Sequence, residues 1–190
     1  MMRNRSGCVL AVLIFLGGLA LPRGAQAAPP AARTTGCNQA APQAAAFVDL
    51  PGHPFEPVAT RDGCWIFVSL LSGNPRSQSG VAVLRRGGGR VRLVRVAPVE
   101  SGLTGMVLTH DGKLLIATDD NYVVFLDTGR LESGRGDPIL GYLSDGNRAG
   151  SVYVNVSADD RFVFVSDEDI QAISVIDLEK ARRNGFTQDS

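Results

Sequence analysis

Thr109-His110-Asp111-Gly112-Lys113-Leu114-Leu115-Ile116-Ala117-Thr118 decides the fold, because the chain writes this pattern three times. The other copies are Thr60-Arg61-Asp62-Gly63-Cys64-Trp65-Ile66-Phe67-Val68-Ser69 and Ser157-Ala158-Asp159-Asp160-Arg161-Phe162-Val163-Phe164-Val165-Ser166. Their opening hydroxyl residues stand at 60, 109 and 157, giving steps of 49 and 48 residues. Asp-Gly, or Asp159-Asp160 in the third copy, tolerates the positive φ of a tight hairpin turn. The residues that follow are apolar without alternation, as in a strand covered on both faces.

Outward from that turn each copy predicts the same sheet. An innermost strand precedes it at Val58-Ala59-Thr60, Met106-Val107-Leu108-Thr109 and Val154-Asn155-Val156-Ser157. A third strand follows at Val81–Leu84, Tyr122–Leu126 and Ile173–Ile176, and two copies then share an acidic stop, Asp127 and Asp177. The outer strand is Val91–Val96 in the first copy, whose apolar/Arg alternation marks one wet face, and Ile139–Leu143 in the second. A strand-rich unit repeated every 40–50 residues, roughly, is the signature of a β-propeller blade.

The expected architecture is therefore all-β, an incomplete propeller of four-stranded antiparallel blades over 46–190. Blade 1 covers about 57–98, blade 2 about 105–144, and blade 3 about 153–190 without its outer strand. Ala46-Phe47-Val48-Asp49-Leu50 stands where an orphan outer strand would. Closed propellers need about four to eight blades, so the chain reads as part of a longer propeller whose open edges and apolar flanks favour self-association. An arc that closes by oligomerising is the other arrangement. Leu178–Arg183 has good helix formers and is expected to make one short turn.

Residues 1–27 read as a cleaved signal peptide: Arg3 and Arg5, an uncharged run of 14 residues from Cys8 to Leu21, then Ala25-Gln26-Ala27. That run is short of the roughly 20 apolar residues of a membrane span. Residues 28–45, rich in Ala, Pro and Gln, read as a flexible leader. A secreted or periplasmic location follows. Removing Arg3, Arg5 and Arg23 leaves 16 basic against 19 acidic residues, or −3. With no long basic run, neither nucleic acid nor an anionic membrane surface is an expected partner. Cys37 and Cys64 remain, and an oxidising compartment permits their disulfide. Position 64 is Lys113 and Arg161 in the other copies, so it is exposed and within reach of the leader.

Pro57-Val58-Ala59-Thr60-Arg61-Asp62-Gly63-Cys64-Trp65-Ile66-Phe67-Val68 resembles the consensus of YVTN-type β-propeller repeats, and so do Phe162–Ser166 and Val175-Ile176-Asp177. The resemblance covers roughly 46–178. It departs where Arg61, His110 and Ala158 replace a common Pro, and no copy carries the Tyr-Val-Thr-Asn string. It implies an exported binding or scaffold module, with lactonases of the phosphogluconolactonase type as a related branch.

Chemistry is sparse. Loops between second and third strands hold Asp119-Asp120-Asn121 and Asp167-Glu168-Asp169, oxygen ligands of the kind Ca²⁺ takes. These are also ordinary turn formers, and the first copy offers Leu70-Leu71-Ser72-Gly73-Asn74 instead, so no metal is expected. His53 beside Glu56 could face the channel mouth as an acid–base pair. No nucleophile accompanies them, so the chain reads as non-catalytic, without cofactor, binding an unidentified protein or small molecule. The alternative is a lactonase-like hydrolase whose active site needs further blades. Gly87-Gly88-Gly89 between Arg-bearing segments reads as a loose hairpin, not a phosphate cradle.

Overall fold

The computed structural model describes residues 37, 39–71, 77–119, 121–144, 151–168 and 171–187, all within the compact unit Thr34–Ser190. The expected signal peptide, Asp120 and Asp169 lie outside the described residues.

The repeated turn is built by its own side chains. The Thr109 hydroxyl donates to Asp111 Oδ1 at 2.7 Å and accepts the Leu114 N–H at 3.2 Å. Asp111 Oδ1 also takes the Lys113 N–H at 3.0 Å. Thr60 with Asp62, and Ser157 with Asp159, repeat this scheme bond for bond. The residue after the aspartate is left-handed in every copy: Gly63, Gly112 and, at φ 56°, Asp160. A hydroxyl, an aspartate and a residue tolerating positive φ are thus all the turn requires.

Three antiparallel sheets follow from the three turns. Blade 1 comprises β1 (His53–Ala59), β2 (Trp65–Leu71), β3 (Gly80–Gly87) and β4 (Arg90–Pro98) in that order. Blade 2 comprises β5 (Met106–Leu108), β6 (Leu114–Thr118), β7 (Tyr122–Asp127) and β8 (Ile139–Ser144), with helix α1 (Thr128–Ser133) between the last two. Blade 3 has β9 (Ser151–Val156), β10 (Phe162–Asp167) and β11 (Ala172–Asp177), then helix α2 (Leu178–Arg183). Among the described residues it has no fourth strand.

Alternation along each middle strand feeds two different seams. Leu115 and Ala117 of β6 pack against Phe67, Val81, Val83 and Ala97 of blade 1. Leu114 and Ile116 pack against Val163 and Val165 of blade 3. That double duty explains the unbroken apolar run, since each enclosed Leu or Ile contributes about 1.5–3 kcal/mol. The innermost strands are stitched together as well. Glu56 accepts the Met106 N–H at 2.7 Å, and the Gly105 N–H donates to the Val152 carbonyl at 2.8 Å.

The two acidic stops cap helices. Asp127 Oδ1 accepts the Arg130 N–H and Asp177 Oδ1 the Lys180 N–H, each an N-cap bond. Behind the caps Leu131 seals the first seam, and Leu178 with Ala181 seals the second. Phe186 stacks on Phe125 at 4.7 Å beside them.

Residues 46–50 form no strand; Val48 and Leu50 instead lie over Val68, Leu70, Ala82 and Leu84, the outer flank of blade 1. The described part of the leader is held down at several points. Cys37 is bonded to Cys64, with Cα atoms 5.1 Å apart, and the Gln39 carbonyl accepts from Arg86 at 3.2 Å. The Ala40 carbonyl sits where a Cβ on Gly89 would be 2.5 Å away, so this turn accepts glycine alone. Among the described residues no such cover lies over the far flank of blade 3, where Phe164, Ile173 and Val175 are 38%, 60% and 59% exposed.

Candidate functional site

Asp119, at the end of β6, organises the loop into β7. Its Oδ1 accepts the Asn121 and Tyr122 N–H groups at 2.7 Å each, and its Oδ2 accepts the Ser101 hydroxyl. With both oxygens engaged and only 1% of its surface exposed, it is a brace between this loop and the β4–β5 connection. The bracing opens a cleft of about 480 Å³ lined by Glu100, Ser101, Asp119, Asn121, Tyr122 and Tyr142.

Strand alternation supplies the aromatics. Tyr122 shares a strand face with Val124 and Leu126, and Tyr142 pairs opposite Val124 in the β7–β8 ladder. Both rings therefore stand at the rim of the first seam, meeting edge to face at 6.2 Å and 78°. Burial pushes the Tyr142 phenol up, and the carboxylates of Glu100, Asp137 and Asp119 add to the rise. The cleft is thus aromatic and electronegative. Among the described residues no histidine, cysteine, lysine or arginine lines it, and the Ser101 hydroxyl is engaged in the Asp119 brace.

The residues singled out in the sequence scatter. Asp119 and Asn121 join the cleft. Glu56 serves as the clamp on Met106, and its own N–H donates to Ser69 Oγ at 2.9 Å. His53 is exposed at the start of β1, and among the described residues no ion pair joins it to Glu56. Asp167 is buried at the end of β10 and Glu168 is exposed beyond it. Among the described residues the acidic loops of blades 2 and 3 do not assemble into a metal-ligating group. Cys37, Asp62 and Cys64 do lie together, but the disulfide consumes both sulfurs and leaves one carboxylate. Glu100, Ser101, Tyr122 and Tyr142 escaped the sequence reading. The available signal was a tyrosine on the seam-facing register of a strand that starts beside an acidic loop.

No family model matches the sequence, and neither does any curated protein; the YVTN resemblance thus rests on its motifs. Solved structures do match. Hydrazine synthase of Kuenenia stuttgartiensis aligns at TM-score 0.52 and 16% identity, over 66% of this chain and 45% of that one. A functionally unknown protein from Desulfotomaculum acetoxidans aligns at TM-score 0.56 and 17% identity, over 68% and 41%. A candidate 6-phosphogluconolactonase from Bacteroides fragilis aligns at TM-score 0.50 and 17% identity, over 65% and 34%. The chain spans less than half the length of each. At such identities the likeness concerns architecture: these three sheets are blades of a β-propeller-like, all-β fold.

Proposed function

We propose that this chain is an exported β-propeller module of the YVTN-like class that binds its ligand without transforming it, in the cleft of Glu100, Tyr122 and Tyr142. The observation that carries the reading is the edge-to-face tyrosine pair ringed by carboxylates. Aromatic faces attract cations, and the nearby carboxylates of Glu100 and Asp119 favour the same ligands, so the class is a compact organic ammonium ion. Export is supported by the basic, apolar and small-residue succession over 1–27 and by the Cys37–Cys64 bond.

Calorimetric titration of the disulfide-bonded chain with choline tests the site. Saturable binding is expected, weakened about tenfold by Tyr142→Ala and by Glu100→Gln. Tyr153→Ala, an exposed tyrosine elsewhere, should leave it unchanged. Absence of saturation, or equal loss with the Tyr153 variant, defeats the reading. The lactonase alternative has shared fold as its support, and one fold hosts many activities; turnover of a δ-lactone above the uncatalysed rate would favour it.

The same reading makes the chain one part of a larger propeller, with the Phe164, Ile173 and Val175 flank taking a further sheet. Phe67 and Ile116, the equivalent residues of blades 1 and 2, are already covered this way. The chain alone should then self-associate in sedimentation velocity, less so after Phe164→Ser. A monomer at all concentrations would refute this.

A further inference from the structure

From a different region, the β3–β4 hairpin of blade 1, we infer a second binding site, for a compact oligoanion carrying two or more phosphate or sulfate groups. Arg85-Arg86-Gly87-Gly88-Gly89-Arg90-Val91-Arg92 places four arginines in eight residues with no acid among them, in a chain whose charges balance overall. The ladder pairs Arg85 directly with Arg92, and Gly87 with Arg90. Like charges directly opposite across a sheet repel. Among the described residues no ion pair answers Arg85, Arg90 or Arg92. Their surroundings are concave: a cleft of about 660 Å³ is lined by Cys37, Arg85, Arg86, Gly87, Arg90, Val91 and Arg92. Its shape separates this site from a flat basic face for a membrane or a duplex, and its size suits a small ligand.

Pre-organisation strengthens the case. Arg85 lies 5.3 Å from the centre of the Trp65 ring, and Arg86 is fixed on the Gln39 carbonyl at 3.2 Å. The leader is in turn held by the Cys37–Cys64 bond and by the close approach of Ala40 to Gly89. Planar guanidinium forks held in this way match tetrahedral oxyanions bidentately. A ligand with several such groups neutralises the opposed Arg85 and Arg92 together, which a single phosphate does less well.

Trp65 is the only tryptophan in the sequence, so its emission reports on the arginine above it. Titration of the disulfide-bonded chain with inorganic tripolyphosphate at low salt should give a saturable change, and inorganic phosphate a far weaker one. Arg92→Gln and Arg85→Gln should each weaken binding about tenfold, and Arg135→Gln, on the α1–β8 connection, should not. Arg92→Glu separates site from scaffold: it puts opposite charges across the ladder, so thermal stability should rise while binding vanishes. Circular dichroism confirms that each variant is folded. No saturable emission change, or equal loss with Arg135→Gln, overturns the proposal. So does binding only to anionic phospholipid vesicles or to duplex DNA without tripolyphosphate binding. None of these outcomes touches the tyrosine cleft, which choline tests separately.

Discussion

Blades 1 and 2 leave their third strands in opposite ways. Blade 1 turns back at once through Gly88 and Gly89, and its β3–β4 hairpin projects a basic rim. Blade 2 passes through Asp127 into α1, and blade 3 repeats that choice with Asp177 and α2. In the second arrangement the connection is folded inward, and Leu131 or Leu178 closes the seam to the preceding blade. Inner turns that agree bond for bond therefore hold a common scaffold, while the outer connection is free either to plug a seam or to present side chains.

The sharpest way to break that comparison is to empty the plugs. Leu131→Ala and Leu178→Ala should each cost about 2–5 kcal/mol in denaturant unfolding, because both side chains are enclosed. Val94→Ala on the half-exposed outer strand of blade 1 should cost well under that. Equal losses at all three would mean that the helices do not seal anything. The caps are worth less: Asp127→Ala and Asp177→Ala should each cost about 1 kcal/mol by the same measurement.

Acid probes what the blades share, with the smallest effect. The Thr60 hydroxyl holds the Asp62 carboxyl below its usual range, the Lys113 N–H does so for Asp111, and the Ser157 hydroxyl for Asp159. Depressed carboxyls add stability that is present above the unfolded value near 4, roughly, and disappears as pH falls through the lowered one. Glu132 runs the other way: burial, then the Asp62 charge, push it up, so its ionisation costs stability at neutral pH. Melting temperature should hold on acidification to about pH 4 and then decline. Thr60→Val with Ser157→Ala should soften the decline, and an unchanged profile would show that these hydroxyl bonds carry none of it.

The fold was legible because its deciding elements are local. A hydroxyl, an aspartate and a glycine within four positions specify the turn, and the strand after it declares its two covered faces by composition. Asp127 and Asp177 were visible as acidic stops, but α1 begins Thr128-Gly129, and that weak helical start hid it; α2, with Leu178-Glu179-Lys180-Ala181, was readable. The cleft was not. Tyr122 and Tyr142 meet only through a ladder, Glu100 arrives from the preceding blade, and Asp119 spends its carboxylate on bracing. Glu56 likewise acts on Met106, 50 residues away, a partnership that spacing alone does not announce.

The coverage of the first flank has a consequence for the order of assembly. Val48 and Leu50 precede β1, so a chain emerging from its N-terminus carries the lid for its first sheet before that sheet exists. The leading side of each sheet, blade 1 included, must wait for about one repeat, 49 or 48 residues here, before it is shielded. Aggregation of partly made chains should therefore run through the leading side of the newest sheet.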